Sequence, residues 1–179
     1  MRQGAQGVAG ARDAICLPAE GRNVDWGVVI GCRTRWVTAR TALRHVAGYT
    51  VVNGVAARSD SGSAPAAGPS TDVTLVGPAM VTTDDVPMGG RGLTMSCVID
   101  GRVRQKANTS QLIFDVATVI AHVSTVTTLL PGDLITTGTP AGPGTVGEPE
   151  VLLYPGADMV TEIKGVGELR NSVVRSCPQ

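Results

Sequence analysis

The chain has 179 residues, which suffices for one ordinary domain with a hydrophobic core and is too short for two. Lysine plus arginine and aspartate plus glutamate each total 15, so the net charge is zero and neither nucleic acid nor an anionic membrane is an expected partner. The 23 glycines and 11 prolines, beside two Trp, two Tyr and one Phe, indicate a turn-rich fold with an aliphatic core. This composition favours strands over long helices.

The cysteines and the N-terminal segment give no sign of a metal site or of export. Cys16, Cys32, Cys97 and Cys177 lack the close pairing of zinc sites and redox motifs, so we expect buried or unreactive thiols. Residues 1–13 contain no apolar stretch of signal-peptide length and are expected to be disordered. No segment reaches the roughly 18 apolar residues that span a bilayer. The sequence thus predicts one cytoplasmic domain over residues 1–179.

The first predicted elements are a strand, a short helix and a second strand. Apolar side chains alternate along 24–30, which is the period of a strand buried on at least one face. Thr38 can cap a helix over about 39–47, where apolar residues recur at helical spacing. A β-branched strand follows over 49–57, and its Asn-Gly pair at 53–54 predicts a turn or a bulge.

The middle of the chain is predicted to hold a loop, a hairpin and a second helix. Residues 59–75 are small, polar and rich in Pro and Gly, which indicates a flexible loop. An Asp-Gly turn at 100–101 lies between strand-like runs at 93–99 and 103–106, which predicts a hairpin. Asp115 can cap a helix. Its predicted core face comprises Val116, Val119, Ile120 and Val123.

The last third of the chain is predicted to contain short strands at 134–137, 150–154 and 159–163. A glycine-rich loop over 138–144 follows the first of them. Together the elements predict a mainly β (α+β) fold.

Four blocks of this sequence, in order, resemble the fumarylacetoacetate hydrolase (FAH) family. They are HVAGYTVVNGVAAR at 45–58, VGPAMVTTDDV at 76–86, KANTSQLIFDVATVIAHVSTVTTLLPGDLITTGTPAGPG at 106–144 and IKGVGELRNSVV at 163–174. A match of this length and order is far more specific than a single short motif. The resemblance implies an FAH-like mixed β-roll with two or three short helices, which commonly forms a homodimer.

The resemblance also implies a chemistry. Members of the family use Mg²⁺ or Mn²⁺, held by carboxylates, to bind the oxygens of an oxo or diketo acid. A hard cation prefers oxygen ligands and stabilises the enolate that develops when a carbon–carbon bond breaks or a carboxyl group leaves. A small oxo acid is therefore the implied ligand.

The residues that would hold the metal are largely missing from this sequence. In the family an Asp-Trp pair is followed by Glu-x-Glu, whereas Asp25-Trp26 continues directly into Gly27, so about four residues are missing. The position of a third carboxylate is occupied by Gly54. The family's glutamine, its lysine and its water-activating lid have no counterpart either. We therefore expect no cofactor from the residues present, and Mg²⁺ or Mn²⁺ only if other carboxylates rebuild the site. The carboxylates nearest in sequence are Asp25, Asp60, Asp72, Asp84 and Asp85.

One part of the family's site survives, in the loop that borders the substrate carboxylate in that family. Thr137, Gly138 and Thr139 match it, and a hydroxyl with free backbone amides can bind an anion without a metal. The same loop could instead need glycine for its geometry alone. Arg58 also matches, either as a substrate contact or as part of a structural ion pair. His45 and His122 have no cysteine or carboxylate at ligand spacing and are expected to have no catalytic role.

Three functional hypotheses follow, and the sequence does not decide whether the chain is an enzyme. The first is an FAH-family hydrolase or lyase, or an isomerase, that acts on an oxo acid. The second is a non-catalytic relative that serves as a binding or partner subunit. The third is a metal-free binder of small acids around Thr139.

Overall fold

The computed structural model describes residues 7–16, 20–56, 73–139 and 153–175, which form ten strands and two α-helices. The strands are β1 (Gly7–Ala9), β2 (Ile15–Cys16), β3 (Glu20–Ile30), β4 (Val46–Ala56), β5 (Val73–Thr82), β6 (Thr94–Ile99), β7 (Arg102–Asn108), β8 (Leu134–Thr136), β9 (Asp158–Ile163) and β10 (Gly167–Val174). The helices are α1 (Ala39–Ala42) and α2 (Val116–Val126).

The strands form two five-stranded sheets. The first has the order β1-β5-β4-β3-β8, and the second has the order β2-β10-β9-β6-β7. The pairs β1–β5 and β2–β10 are parallel and the remaining pairs are antiparallel, so both sheets are mixed. The mainly β, FAH-like fold with short helices that the sequence predicts is confirmed.

The core lies against β3, whose alternating side chains face inward as predicted. Val24, Trp26 and Val28 are fully buried. The indole of Trp26 stacks on the ring of Tyr49 from β4, with 4.7 Å between the ring centroids and 18° between the planes. Large buried aromatic rings contribute more to a core than any aliphatic side chain, so this pair anchors β3 to β4.

Two buried polar contacts join the sheets. The Asn53 amide on β4 donates to Thr161 Oγ1 on β9 at 2.6 Å. The backbone N–H of Val24 on β3 donates to Gln105 Oε1 on β7 at 3.2 Å. Because a buried polar group without a partner is costly, these contacts fix how the two sheets align.

The Asn-Gly pair at 53–54 does not form a turn, the first of the two predicted alternatives, but a bulge-like register shift, the second, lies next to Gly54 in the pairing of β4 with β3. Asn53 pairs with Val24 on β3 and with Leu75 on β5, so β4 continues through both residues. The pairing of β4 is irregular near its start and again where its register with β3 shifts between Gly54 and Ala56. The fully buried amide of Asn53 is satisfied by the second sheet, and this tertiary contact overrides the local turn preference.

The first helix is shorter than predicted. After α1 the chain forms a 3-10 turn over Leu43–His45 and enters β4 at Val46. Thr38 accepts the first helical bonds through its backbone carbonyl, and its side chain makes no cap hydrogen bond. Without a side-chain cap, the four-residue helix gives way to the strand pairing of Val46 with Ile30.

The hairpin and the second helix are confirmed. Asp100 and Gly101 both have positive φ, 49° and 75°, as a tight turn between β6 and β7 requires. Asp115 Oδ1 accepts from the N–H of Thr118 at 2.8 Å and caps α2. Val116 and Ile120 are buried on the predicted face. Val119 and Val123 are partly buried against the same core.

Strands β1, β2, β5 and β10 were not predicted, although β1 lies within the segment expected to be disordered and β5 begins within the expected loop. β1 pairs with β5 and β2 pairs with β10, partners distant in sequence that a local pattern does not reveal, whereas β10 forms a hairpin with β9. The rest of the predicted loop and residues 150–152 lie outside the described part, and Leu153 and Tyr154 are not in a strand. Cys16 is disulfide-bonded, which corrects the expectation of unreactive thiols.

The close packing of Trp26 against Gly90 can be tested by substitution. Gly90 has a φ of 65°, and an added Cβ would overlap Trp26 Cζ2 and lie 2.7 Å from Cε2. Gly92 is the matched control, because its φ of 83° carries the same backbone strain with no atom within 4 Å of an added Cβ. We expect Gly90→Ala to lower the free energy of unfolding by about 2 kcal/mol more than Gly92→Ala, measured by urea denaturation. Equal losses would show that Trp26 can move away at no cost.

Candidate active site at the Asp25 carboxyl

The loop after β8 is held against β3 by hydrogen bonds. The N–H and the hydroxyl of Thr137 both donate to the carbonyl of Trp26, each at 3.2 Å. Gly138, with a φ of 106°, then turns the chain in a conformation that side chains disfavour. The loop therefore passes directly beside the middle of β3.

Asp25 meets this loop. Its neighbours Val24 and Trp26 face the core, so strand alternation directs the Asp25 side chain to the opposite face of the sheet. The carboxylate accepts hydrogen bonds from the Thr139 side chain and from the backbone N–H of Gly138. Its Oδ1 atom is buried and has no partner among the described residues. Asp25 is thus a half-satisfied carboxyl group beside the predicted anion-binding loop.

Burial changes the acidity of this carboxyl group. Desolvation raises the pKa of Asp25 from 3.8 to about 6, although the hydrogen bonds from Thr139 and Gly138 act in the opposite direction. A carboxyl group with a pKa in this range can both take up and release a proton near neutral pH. Perturbed carboxyl groups of this kind are concentrated at functional sites.

Residues 137–139 of this loop also line a cavity of about 570 Å³. Its polar lining comprises Lys106, Asn108, Gln111, Thr137, Gly138 and Thr139, and its apolar lining comprises Met95, Ala107, Leu112, Ile113 and Phe114. Lys106 is the cationic residue of this lining, and it is exposed. A cation and several hydrogen-bonding groups beside apolar side chains suit a small organic acid.

The structure brings Thr137, Gly138 and Thr139 together at this cavity, as the sequence analysis expected of a substrate-binding loop. Their binding of a substrate stays a prediction. The Thr139 hydroxyl and the Gly138 N–H, however, already bond to Asp25, so an internal carboxyl group occupies two of the expected anion donors. Arg58 lies outside the described residues.

Asp25 was recognised in the sequence only as one of several carboxylates near the lost metal site. The signal that distinguishes it is its position in the alternating strand, between two buried apolar residues and therefore on the opposite face. What the sequence did not indicate is that the loop after β8, more than a hundred residues later, would contact that face.

Across residues 7–16, 20–56, 73–139 and 153–175, no group of three His, Cys, Asp or Glu side chains could hold a metal ion. Gly54 pairs with Asn23 and Thr74 within the first sheet and offers no ligand atom. The buried, unpartnered Oδ1 of Asp25 is a single carboxylate donor. One carboxylate does not provide the several oxygen ligands that Mg²⁺ or Mn²⁺ requires, so we derive no step through a metal. The expectation that the residues present bind no cofactor stays a prediction.

Two mixed sheets, with a strand-borne carboxyl group beside a hydroxyl-bearing loop, define a β-roll protein. The family model "Fumarylacetoacetate (FAA) hydrolase C-terminal" matches residues 3–174. The chain belongs to the fumarylacetoacetate hydrolase family.

Individual proteins similar to this chain support the same family membership. The chain is 39% identical over 179 residues to the mitochondrial oxaloacetate tautomerase FAHD2A of Bos taurus, which covers 95% of this chain and 57% of the relative. The human protein of the same name is 37% identical over 179 residues, with the same coverage. The chain thus spans little more than half the length of these relatives.

Solved structures of the family are similar in fold. The 2-hydroxyhepta-2,4-diene-1,7-dioate isomerase of Mycobacterium marinum has a TM-score of 0.78 and 35% identity, over 96% of this chain and 67% of that one. The maleylpyruvate hydrolase of Sphingobium sp. SYK-6, solved with manganese(II) and pyruvate, has a TM-score of 0.80 and 28% identity, over 96% of this chain and 62% of that one.

The prediction of a cytoplasmic location is wrong by this comparison, because the bovine and human relatives are mitochondrial proteins by name. The prediction rested on the lack of an export signal, which does not bear on import into an organelle. Within the described segments, no helix is long and apolar enough to cross a membrane.

The raised pKa of Asp25 predicts a pH-dependent stability. Because the folded state holds this proton up to about pH 6 and the unfolded state loses it near 3.8, stability from Asp25 is lost as pH rises between these values, by roughly 3 kcal/mol. Asp25→Asn should therefore be more stable than wild type at neutral pH, by about 1–3 kcal/mol, and should lack this slope. Urea denaturation across this pH range measures both.

Asp85→Asn is the control for this experiment, since Asp85 is an exposed carboxylate on a distant turn. Both variants retain Asp100 and Asp115, whose pKa values are lowered by hydrogen bonds and which stabilise the fold in the opposite pH direction. Only the difference between the proteins reports on Asp25. An Asp25→Asn variant with the wild-type slope would mean that this carboxyl group is well solvated.

Proposed function

We propose that this chain binds a small 2-oxo acid in the cavity beside the 137–139 loop and catalyses its keto–enol tautomerisation. The observation that carries the proposal is the Asp25 carboxyl group, buried, with a pKa raised to about 6, and hydrogen-bonded to a hydroxyl group that lines the cavity. The relatives named as an oxaloacetate tautomerase and a dienedioate isomerase support the reaction class.

Tautomerisation demands little beyond an anion site and a proton carrier. The enzyme must remove a proton from the carbon beside the oxo group and return one to the enol oxygen or to the carbon. No covalent nucleophile is required. A carboxyl group with a pKa near 6 is well matched to such transfers close to neutral pH, because neither of its protonation states is scarce.

The Thr139 hydroxyl connects the proton carrier to the cavity. Thr139 lines the cavity and its side chain bonds to Asp25. In the proposed step the substrate proton passes to the Thr139 oxygen while the hydroxyl proton passes to Asp25, and the reverse movement delivers a proton to the other tautomer. The loop hydrogen bonds from Thr137 to the Trp26 carbonyl hold this relay in place.

Lys106 supplies the charge that holds the substrate. It lines the same cavity from β7, so its ammonium group can pair with a substrate carboxylate. Asn108 and Gln111 add amide groups to the lining, although the Asn108 oxygen already accepts from Ser110 and the Gln111 oxygen from Asn108. Their amide NH₂ groups can serve as donors to a carboxylate.

A second candidate is a non-catalytic family member that binds oxo acids. The observation in its favour is Gly54, which occupies the position where the family resemblance places a metal ligand. This candidate needs the cavity and Lys106, but it does not need Asp25 to exchange protons. A homodimer, implied by the same resemblance, likewise remains our proposal, and sedimentation of the purified chain would test it.

Tautomerase activity is measured by following the ultraviolet absorbance of enol-oxaloacetate as it converts to the ketone in buffer. We expect the wild type to accelerate the conversion, with kcat/KM rising as pH increases through about 6 because the ionised Asp25 is the base. Asp25→Asn should lower kcat by at least about 100-fold, and Thr139→Val by about tenfold. Asp85→Asn should leave it unchanged. A wild type without acceleration would leave only the binding candidate.

Binding is tested separately with oxalate, a diacid that does not react. Lys106→Gln should weaken oxalate binding by about tenfold in calorimetry, because a charge-assisted contact to a carboxylate is lost. Lys164→Gln is the matched control, since Lys164 is an exposed lysine in the turn between β9 and β10. Equal affinity of both variants would place the acid elsewhere.

A further inference from the structure

A second group of reactive side chains lies beyond the end of β3, away from the cavity. Cys32 carries a free, exposed thiol, and its Sγ lies 3.2 Å from Nδ1 of His45. His45 is the last residue of the 3-10 turn before β4. The sequence analysis expected no catalytic role for this histidine, and its spacing argument did not reveal the contact with Cys32, which arises because the loop after β3 folds back onto the turn.

Thr34 determines which atom between Cys32 and His45 carries the proton. The Thr34 hydroxyl donates to the Cys32 carbonyl at 2.8 Å, and the same oxygen lies 2.9 Å from His45 Nδ1. A hydroxyl group has one proton, so once that proton is given to the carbonyl the oxygen can only accept. Nδ1 must then be the donor. A proton on Nδ1 also faces the Cys32 sulfur.

The backbone fixes this arrangement on both sides. Gly31 N–H donates to the His45 carbonyl at 2.8 Å, next to Cys32. Thr34 is fully buried and exchanges two backbone hydrogen bonds of 2.9 Å with Leu129. Backbone hydrogen bonds on both sides therefore hold the Cys32 thiol and the His45 imidazole at contact distance.

We propose that Cys32 is a nucleophilic thiol, activated by His45, that forms covalent adducts with alkenes conjugated to a carbonyl group. Exposure gives such a molecule access to the sulfur, and the imidazole supplies the proton the reaction needs.

The proposed step balances without any other reactant. The step starts from the Cys32 thiolate beside a His45 imidazolium, which carries protons on both Nδ1 and Nε2. The thiolate sulfur forms a bond to the β carbon of the alkene, and the alkene π electrons move toward the carbonyl group to give an enolate. The Nδ1 proton transfers to the α carbon of the enolate, and the ring keeps its Nε2 proton. The products are a neutral thioether at Cys32 and a neutral imidazole.

The test is the alkylation rate of Cys32 by N-ethylmaleimide at neutral pH, measured on the native full chain by digestion and mass spectrometry. We expect Cys32 to react at least about tenfold faster than glutathione under the same conditions. His45→Gln should remove this advantage, because glutamine has no nitrogen at the Nδ1 position. His45→Asn should remove it too, since its amide can donate a hydrogen bond but cannot transfer a proton.

His122→Gln is the matched control, as it changes the other, exposed histidine, and its Cys32 rate should equal that of wild type. Cys97 is fully buried, so its protection reports that each variant is folded. A wild-type rate equal to that of glutathione would overturn the proposal, as would an undiminished rate in folded His45→Gln or His45→Asn. If both variants expose Cys97, the comparison of wild type with glutathione alone decides.

Discussion

The packing of Trp26 is the constraint on which the rest of the structure depends. Its indole stacks on Tyr49 and leaves no room for a side chain at Gly90, so the strand that carries it is fixed in one register. A slip by one residue would turn Trp26 out of the core and turn Asp25 into it, and both changes would be costly. The position of the candidate acid–base group is therefore set by hydrophobic packing on the opposite face of the same strand.

The chemistry at Asp25 follows from an imbalance between two opposing effects. The hydrogen bonds from Gly138 and Thr139 stabilise the carboxylate, while removal from water disfavours it, and the second effect is larger. A third hydrogen-bond donor, to Oδ1, would lower the pKa of Asp25 toward its usual value. The fold thus tolerates a carboxyl group with one unsatisfied oxygen where the 137–139 loop contacts β3. Unsatisfied buried polar atoms of this kind are rare and often mark functional sites.

Much of the fold was predictable because its signals are local. The buried face of β3, the Asp100-Gly101 turn and the Asp115 cap each follow from residue type and spacing alone. The errors have a physical pattern. Asn53 stays in a strand because a threonine on the other sheet satisfies its amide, and β1 and β2 pair with strands distant in sequence.

The candidate site was only half predictable for the same reason. The 137–139 loop was expected from family resemblance, yet its use of Asp25 as a hydrogen-bond partner depends on a contact across more than a hundred residues. Comparison with the family had drawn attention to the carboxylates that are missing. Asp25, which the sequence retains, faces the 137–139 loop. It does so because alternate side chains of a strand point to opposite faces of the sheet.

Binding of the proposed oxo acid near the unpartnered oxygen of Asp25 would couple ligand binding to proton uptake. An anion that settles near a carboxylate makes its negative charge less favourable, so the bound complex holds a proton that the free protein releases more readily. Ligand and proton then bind as a linked pair, and acidification has the same effect on the site as a higher ligand concentration. In the proposed complex, a change of pH would therefore change the occupancy of this pocket at a constant ligand concentration.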